Sequence, residues 1–189
     1  MIEHQRVLVR QREAGIIAPI HDRNRVTQIM TDGMWPCYAL MIYDPRNLVA
    51  MLAHVDNWGD LNLVDLLNQN APIMRSLGAE EVHIATGNAP ESSSNRLLYL
   101  DDAIDQLYDH GLKVRRLTTG ERAFDYGRAN GVTLTAHGDV KVYPDSKVMP
   151  RASYPVEKLS TLQRMLKEIT HNKRMFSKDG FRMAYLPNV

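Results

Sequence analysis

"MWPCYALMIYDPRNLVAMLAHVD" (34–56) decides how this chain folds. Two apolar runs, 37–42 and 48–55, flank the tetrad Asp44, Pro45, Arg46, Asn47. Short continuous apolar runs bounded by turn residues read as buried strands. Aspartate in first place and proline in second suit a type I turn, because proline presets φ near about −65°. The stretch therefore predicts an antiparallel hairpin turning at 44–47. Pairing Tyr43 with Leu48 places Cys37 directly opposite His54, on one face, with Cβ atoms about 4.5–5.5 Å apart. A slip of one residue would send the two side chains to opposite faces.

Cys37 is the only cysteine among 189 residues. It is either a small apolar residue beside a satisfied core histidine, or half of a thiol–imidazole pair. The distinction matters because a thiol with a pKa near about 8.5 is mostly protonated at neutral pH, and the thiolate is the nucleophile. A neighbouring imidazole supplies the base.

Outward from this hairpin, strands are expected at 6–11 and 25–30. Positions 60–78 carry apolar residues at helical spacing, with Asp60 as the starting cap and Gly78 as the end. Pro72 inside should kink or split that helix. A strand follows at 81–86, an amphipathic helix at 92–111 with serine caps, and a strand at 112–119. "VTLTAHGDVKVYP" (132–144) predicts a hairpin with a two-residue II′ turn at Gly138 and Asp139. A last helix is expected at 155–172, behind Pro155. Strands alternate with helices between terminal hairpins. That order implies one α/β or α+β layered domain, a mixed β-sheet with helices packed on it, over 1–189. Its core is expected at about 25–145, with a C-terminal helix and tail at 150–189.

Composition narrows the function classes. Apolar residues make up 44% and charged residues 24%, with a formal net charge of +1. That balance points to neither a nucleic acid nor a membrane partner. One cysteine forms no internal disulfide, and the scattered histidines lack ligand spacing, so no metal or cofactor is inferred. The N-terminus lacks a signal-peptide pattern, and no apolar run approaches membrane-spanning length. The cytoplasm is the expected location, export by a route without a classical signal remaining open. The basic stretch "KEITHNKRMFSKDGFR" reads as a charged helix face with a docked tail.

Thr31, Cys37 and His54, with "YALMIYDPRNLVAMLA" between the last two, resemble the chemoreceptor glutamine deamidases. Those share a core with deamidating toxins of the cytotoxic-necrotizing-factor type. "CYALMIYDPRNLVAMLAHVDNWGDLNLVDLLNQ" (37–69) and "EEVHIATGNAPESSSNRLLYLDDAIDQL" (80–107) are still more similar to the protein N-terminal asparagine amidohydrolases. The resemblance covers about 30–140. Trp35 and Pro36 depart from the small residues that glutamine deamidases carry before the cysteine. Pro36 has no N–H to offer an oxyanion.

The resemblance implies a thiol amidohydrolase that turns an Asn or Gln carboxamide of a protein or peptide into the acid. Cys37 is then the nucleophile, His54 the base, and Thr31 the residue that orients the imidazole. Thr31 alternatively caps a turn with Asp32 and Gly33. Asp56, two residues past His54, orients the imidazole or binds a substrate α-amine. Trp35 and Trp58 wall the pocket, or are plain core. Asp101 and Asp102 are further candidates for holding an ammonium. A different class, a non-catalytic protein-binding adaptor, would keep Cys37 apolar.

Overall fold

The computed structural model describes residues 5–9, 13–19, 26–34, 37–55, 63–87, 96–119, 129–150 and 182–188. The strands are β1 (Gln5–Leu8), β2 (Glu13–Pro19), β3 (Val26–Asp32), β4 (Tyr38–Asp44), β5 (Val49–Val55), β6 (Glu81–Gly87), β7 (Lys113–Thr118), β8 (Gly131–Thr135), β9 (Val140–Tyr143) and β10 (Arg182–Asn188). Helix α1 (Leu63–Ser76) joins β5 to β6, and α2 (Arg96–Asp109) joins β6 to β7.

The chain has mixed α+β content, but the strands form two sheets where the sequence suggested one. The larger runs β10-β2-β5-β4-β6-β7 and the smaller β1-β3-β8-β9. Strands from both chain ends complete the larger sheet, so the core reaches beyond 25–145. Val9, Ala14, Ile16 and Ile17 are fully buried in it. The expected helix at 155–172 lies outside the described residues.

The hairpin forms in a register two positions from the expected one. Ala39, not Cys37, lies opposite His54, and Asp44 pairs with Val49. The cause is the loop. Asp44 stays in the strand and accepts the backbone N–H groups of Arg46 and Asn47 at 2.9 and 3.1 Å. The four loop residues are then Pro45 to Leu48, and Leu48 closes the turn at φ 57°. Left-handed backbone is unusual for leucine, and nothing in its side chain announces it.

Because the shift is even, the face is preserved. Ala39, Met41 and Tyr43 share one face with His54 and Leu52 of β5 and with Gly87, Ala85 and His83 of β6. The smaller sheet lies over that face. Its β8–β9 tip sits on Tyr43, where a Cβ at Gly138 would collide with the Tyr43 ring. The turn there is not the expected II′ pair. Thr135 and Asp139 close a three-residue loop that ends on Gly138 at φ 86°.

The opposite face, with Leu40, Ile42, Met51 and Val55 almost fully buried, is left for α1 and α2, which pack on each other. Helix α1 runs unbroken through Pro72. The proline removes one helical donor, but Leu67, Asn70, Ala71 and Met74 around it are buried, and that packing overrides the local cost. Gly78 and Gly111, both at positive φ, end the helices with paired bonds back to the last turn, from Gly78 and Ala79 to Arg75 and Met74, and from Gly111 and Leu112 to Tyr108 and Leu107.

Candidate functional site

The chain leaves the smaller sheet after Asp32, turns at Gly33 (φ 63°) and enters the larger sheet at Tyr38. Thr31 and Cys37 therefore stand on either side of one short crossing between sheets. The backbone N–H of Met34 donates to the Asn130 carbonyl at 3.1 Å and ties that crossing to the start of β8. The crossing explains the five-residue spacing. It must be long enough to change layers and short enough to keep the two residues near each other.

The decisive contact bridges the layers. Thr31 Oγ1 lies 2.7 Å from His54 Nδ1, with both side chains buried. Thr31 sits within β3, paired with Val132, so it does not cap a turn with Asp32 and Gly33. Its hydroxyl holds one ring nitrogen of His54 and fixes the plane of the imidazole. When Nδ1 carries the hydrogen it donates to Thr31 Oγ1, and Nε2 is the basic nitrogen. Nε2 is itself buried.

Cys37 is 4% exposed and His54 2%. Cys37 lies one residue before β4 and two before Ala39, the partner of His54, and strand geometry continued to it would put it diagonal to His54 with Cα atoms about 7–8 Å apart. The directly opposed pairing expected for Cys37 and His54 is not the one that forms.

One feature was not read from the sequence. His54, Ala39 and Gly87 form a row across β5, β4 and β6 on the site's face. Two of the three have almost no side chain, so the strip they form is flat, and all three are buried. The sequence signal was available only once the register was known. A leucine at Ala39 or a valine at Gly87 should crowd the strip. Alkylation of Cys37 by iodoacetamide should then slow by at least about tenfold while its pH profile keeps its midpoint. Unchanged alkylation in both variants would separate the strip from Cys37.

Trp35, Asp56 and Trp58 lie outside the described residues. Asp101 and Asp102 are exposed on α2, in the helical layer, and the structure does not bring them to Cys37. Among the described residues no group of three His, Cys, Asp or Glu side chains is placed to hold a metal ion, and no helix is long and apolar enough to cross a membrane.

No protein-family model and no curated protein matches the chain.

Proposed function

We propose that the chain is a cysteine-dependent amidohydrolase acting on the side-chain carboxamide of an Asn or Gln in a protein or peptide. One observation carries this reading. A buried threonine from one sheet holds the imidazole of a histidine in the other, the sheet that the chain enters directly after its sole cysteine. A buried imidazole needs a hydrogen-bond partner whatever its role, so what favours catalysis is that the anchor is the threonine of the Thr, Cys and His set in the resembled family. The resemblance of 37–69 and 80–107 to N-terminal asparagine amidohydrolases supports the same chemistry and favours Asn at a chain start as the substrate. The glutamine deamidase fold is the runner-up within the class.

In this mechanism His54 Nε2 takes the Cys37 proton, and the thiolate attacks the carboxamide carbon. The tetrahedral oxyanion needs N–H donors, which Pro36 does not supply. Imidazolium Nε2 returns the proton to the departing nitrogen, which leaves as ammonia, and a thioester remains. Water, deprotonated by His54, attacks the thioester carbon and releases the acid and the thiol. Thr31 accepts from Nδ1–H throughout and stabilises the imidazolium.

Peptides bearing N-terminal Asn, N-terminal Gln or internal Gln, incubated with the protein and analysed by mass spectrometry, test the proposal. The peptide in which an acid replaces an amide names the branch. No conversion of any of them, with Cys37 alkylating only above the ordinary thiol range, would leave the adaptor reading.

Thr31→Val keeps the shape and removes the hydrogen bond. Losing about 1.5–3 kcal/mol at the imidazole should slow hydrolysis about 10- to 100-fold. The acid limb of the rate profile should move, because the imidazolium loses its acceptor. A rate loss with an unmoved profile would reduce Thr31 to a packing residue.

A further inference from the structure

Among the described residues, the smaller sheet packs mainly on β10, β2 and β5 of the larger one, and its β8–β9 tip reaches Tyr43 of β4. Beyond that tip, β6 and β7 carry Glu81 and His83, half-buried, and Lys113, Arg115 and Arg116, exposed. A bulge concentrates those cations. Glu81 pairs with Lys113 and Val82 with Val114, but His83 pairs with Arg116, so Arg115 is the extra residue. Without the bulge Arg116 would point to the helical side. With it, Lys113 and Arg116 share the face of Glu81 and His83. Arg115 joins them by a two-pronged bond to Glu81, one arm at 2.6 Å.

Arg46, from the β4–β5 loop, completes the group, 3.6 Å from Glu81 and strongly exposed. Between these residues lies an open cleft of about 350 Å³, lined by Asp44, Pro45, Arg46, Glu81, His83 and Arg115. Its lining holds two carboxylates and two guanidinium groups, and Lys113 and Arg116 stand outside it on β7. One of the carboxylates, Asp44, is already occupied by backbone and side-chain donors from Arg46, Asn47, Glu80 and Glu81. The guanidinium of Arg115 holds Glu81 below the usual carboxylate range, so it stays ionised and spaces the two arginines. The cleft itself is balanced, and the surplus of positive charge lies on the exposed β7 edge beside it, at Lys113 and Arg116, in a chain whose net charge is only +1.

We infer that the basic edge at β7, beside the cleft, docks an acidic segment of a protein, the same protein whose carboxamide enters the Cys37 site. The last clause rests on the function proposed above. Carboxylates spaced along an extended chain suit cations separated along a strand. A nucleic acid backbone would press closely spaced phosphates against Glu81. Four residues along the strands and two strand spacings across separate His83 from His54, with β7 one spacing further, roughly 16–20 Å past the β8–β9 tip on Tyr43. An extended chain covers that in about six residues. The substrate is therefore a segment with its carboxamide about six or more residues from an acidic cluster.

The test is direct binding to the full chain, read by fluorescence anisotropy with a labelled ten-residue Asp/Glu-rich peptide at low salt. Wild type and Cys37→Ala should bind alike, and affinity should fall steeply with salt. Lys113→Glu with Arg116→Glu should weaken binding at least about tenfold, and Lys147→Glu, at the far end of the β8–β9 hairpin, should not. Should the reversed pair melt early, Lys113→Gln with Arg116→Gln replaces it. Equal binding of an uncharged peptide, or charge reversal without effect, overturns the inference. Duplex DNA competing below the peptide's own concentration overturns it too, in favour of a nucleic acid. Binding does not depend on catalysis. Tight acidic-peptide binding without hydrolysis of any carboxamide would sink the amidohydrolase and keep the docking face. Hydrolysis without such binding would do the reverse.

Discussion

Cys37→Ala should lower ammonia release from a carboxamide peptide by at least about 10³-fold, with melting temperature and circular dichroism close to wild type. The chain has one thiol and no second thiol to replace it. The substitution removes only the Sγ atom from a buried position, a small volume change next to Ala39. His54→Gln is the companion variant. It should cost about 10²–10⁴-fold, because both proton transfers pass through the imidazole. Losses in the two variants should not add, since each disables the same first step. Iodoacetamide offers a second readout, being itself a primary carboxamide small enough to approach a thiol that is 4% exposed. In wild type it should alkylate Cys37 at neutral pH, and His54→Gln should shift the reaction to higher pH. Full turnover by Cys37→Ala would end the proposed mechanism.

The hairpin shows how far sequence reading carries. Its two strands and its turn region were legible from apolar runs around an Asp-Pro turn signal. Its register was not, because that depended on Leu48 adopting left-handed backbone, which leucine does not advertise. Helix ends were legible at Gly78 and Gly111, where glycine is what a positive φ favours. Pro72 misled in the other direction, since burial on both sides of it outweighed a local rule. The division into two sheets was hidden because alternation marks a strand and not its partner. Strand β2, with its Gly15, and strand β10 near the C-terminus gave no clear period. The bond between Thr31 and His54 joins residues 23 apart on different sheets, beyond any local pattern. Only the family resemblance pointed to Thr31. The row of His54, Ala39 and Gly87 needed three strands in register before it existed at all.

The second large effect concerns Asp44, which holds the turn that sets that register. Its Oδ1 accepts from the backbone of Arg46 and Asn47, and its Oδ2 from the Asn47 side chain and the backbone of Glu80 and Glu81, at 2.8 to 3.2 Å. One carboxylate thus fixes the loop and the start of β6 together. Burial works to raise its pKa, but the donors from Glu80, Asn47 and Arg46 together outweigh burial and leave it below the ordinary aspartate range. A depressed folded value stabilises the fold above the unfolded pKa, and that contribution is lost as pH falls through the folded value. Asp44→Ala strands several backbone donors at once and should cost about 3 kcal/mol or more in urea unfolding at pH 7. Asp44→Asn keeps the shape and one acceptor oxygen, so its cost should be smaller. The gap between Asp44→Asn and wild type should narrow below about pH 4, because the wild-type carboxylate is then protonated as well. A gap that stays constant down to pH 2 would mean that geometry alone, and not charge, secures the turn. Because the loop dictates which residue faces His54, Asp44→Ala should also lower amide hydrolysis even where the variant remains folded.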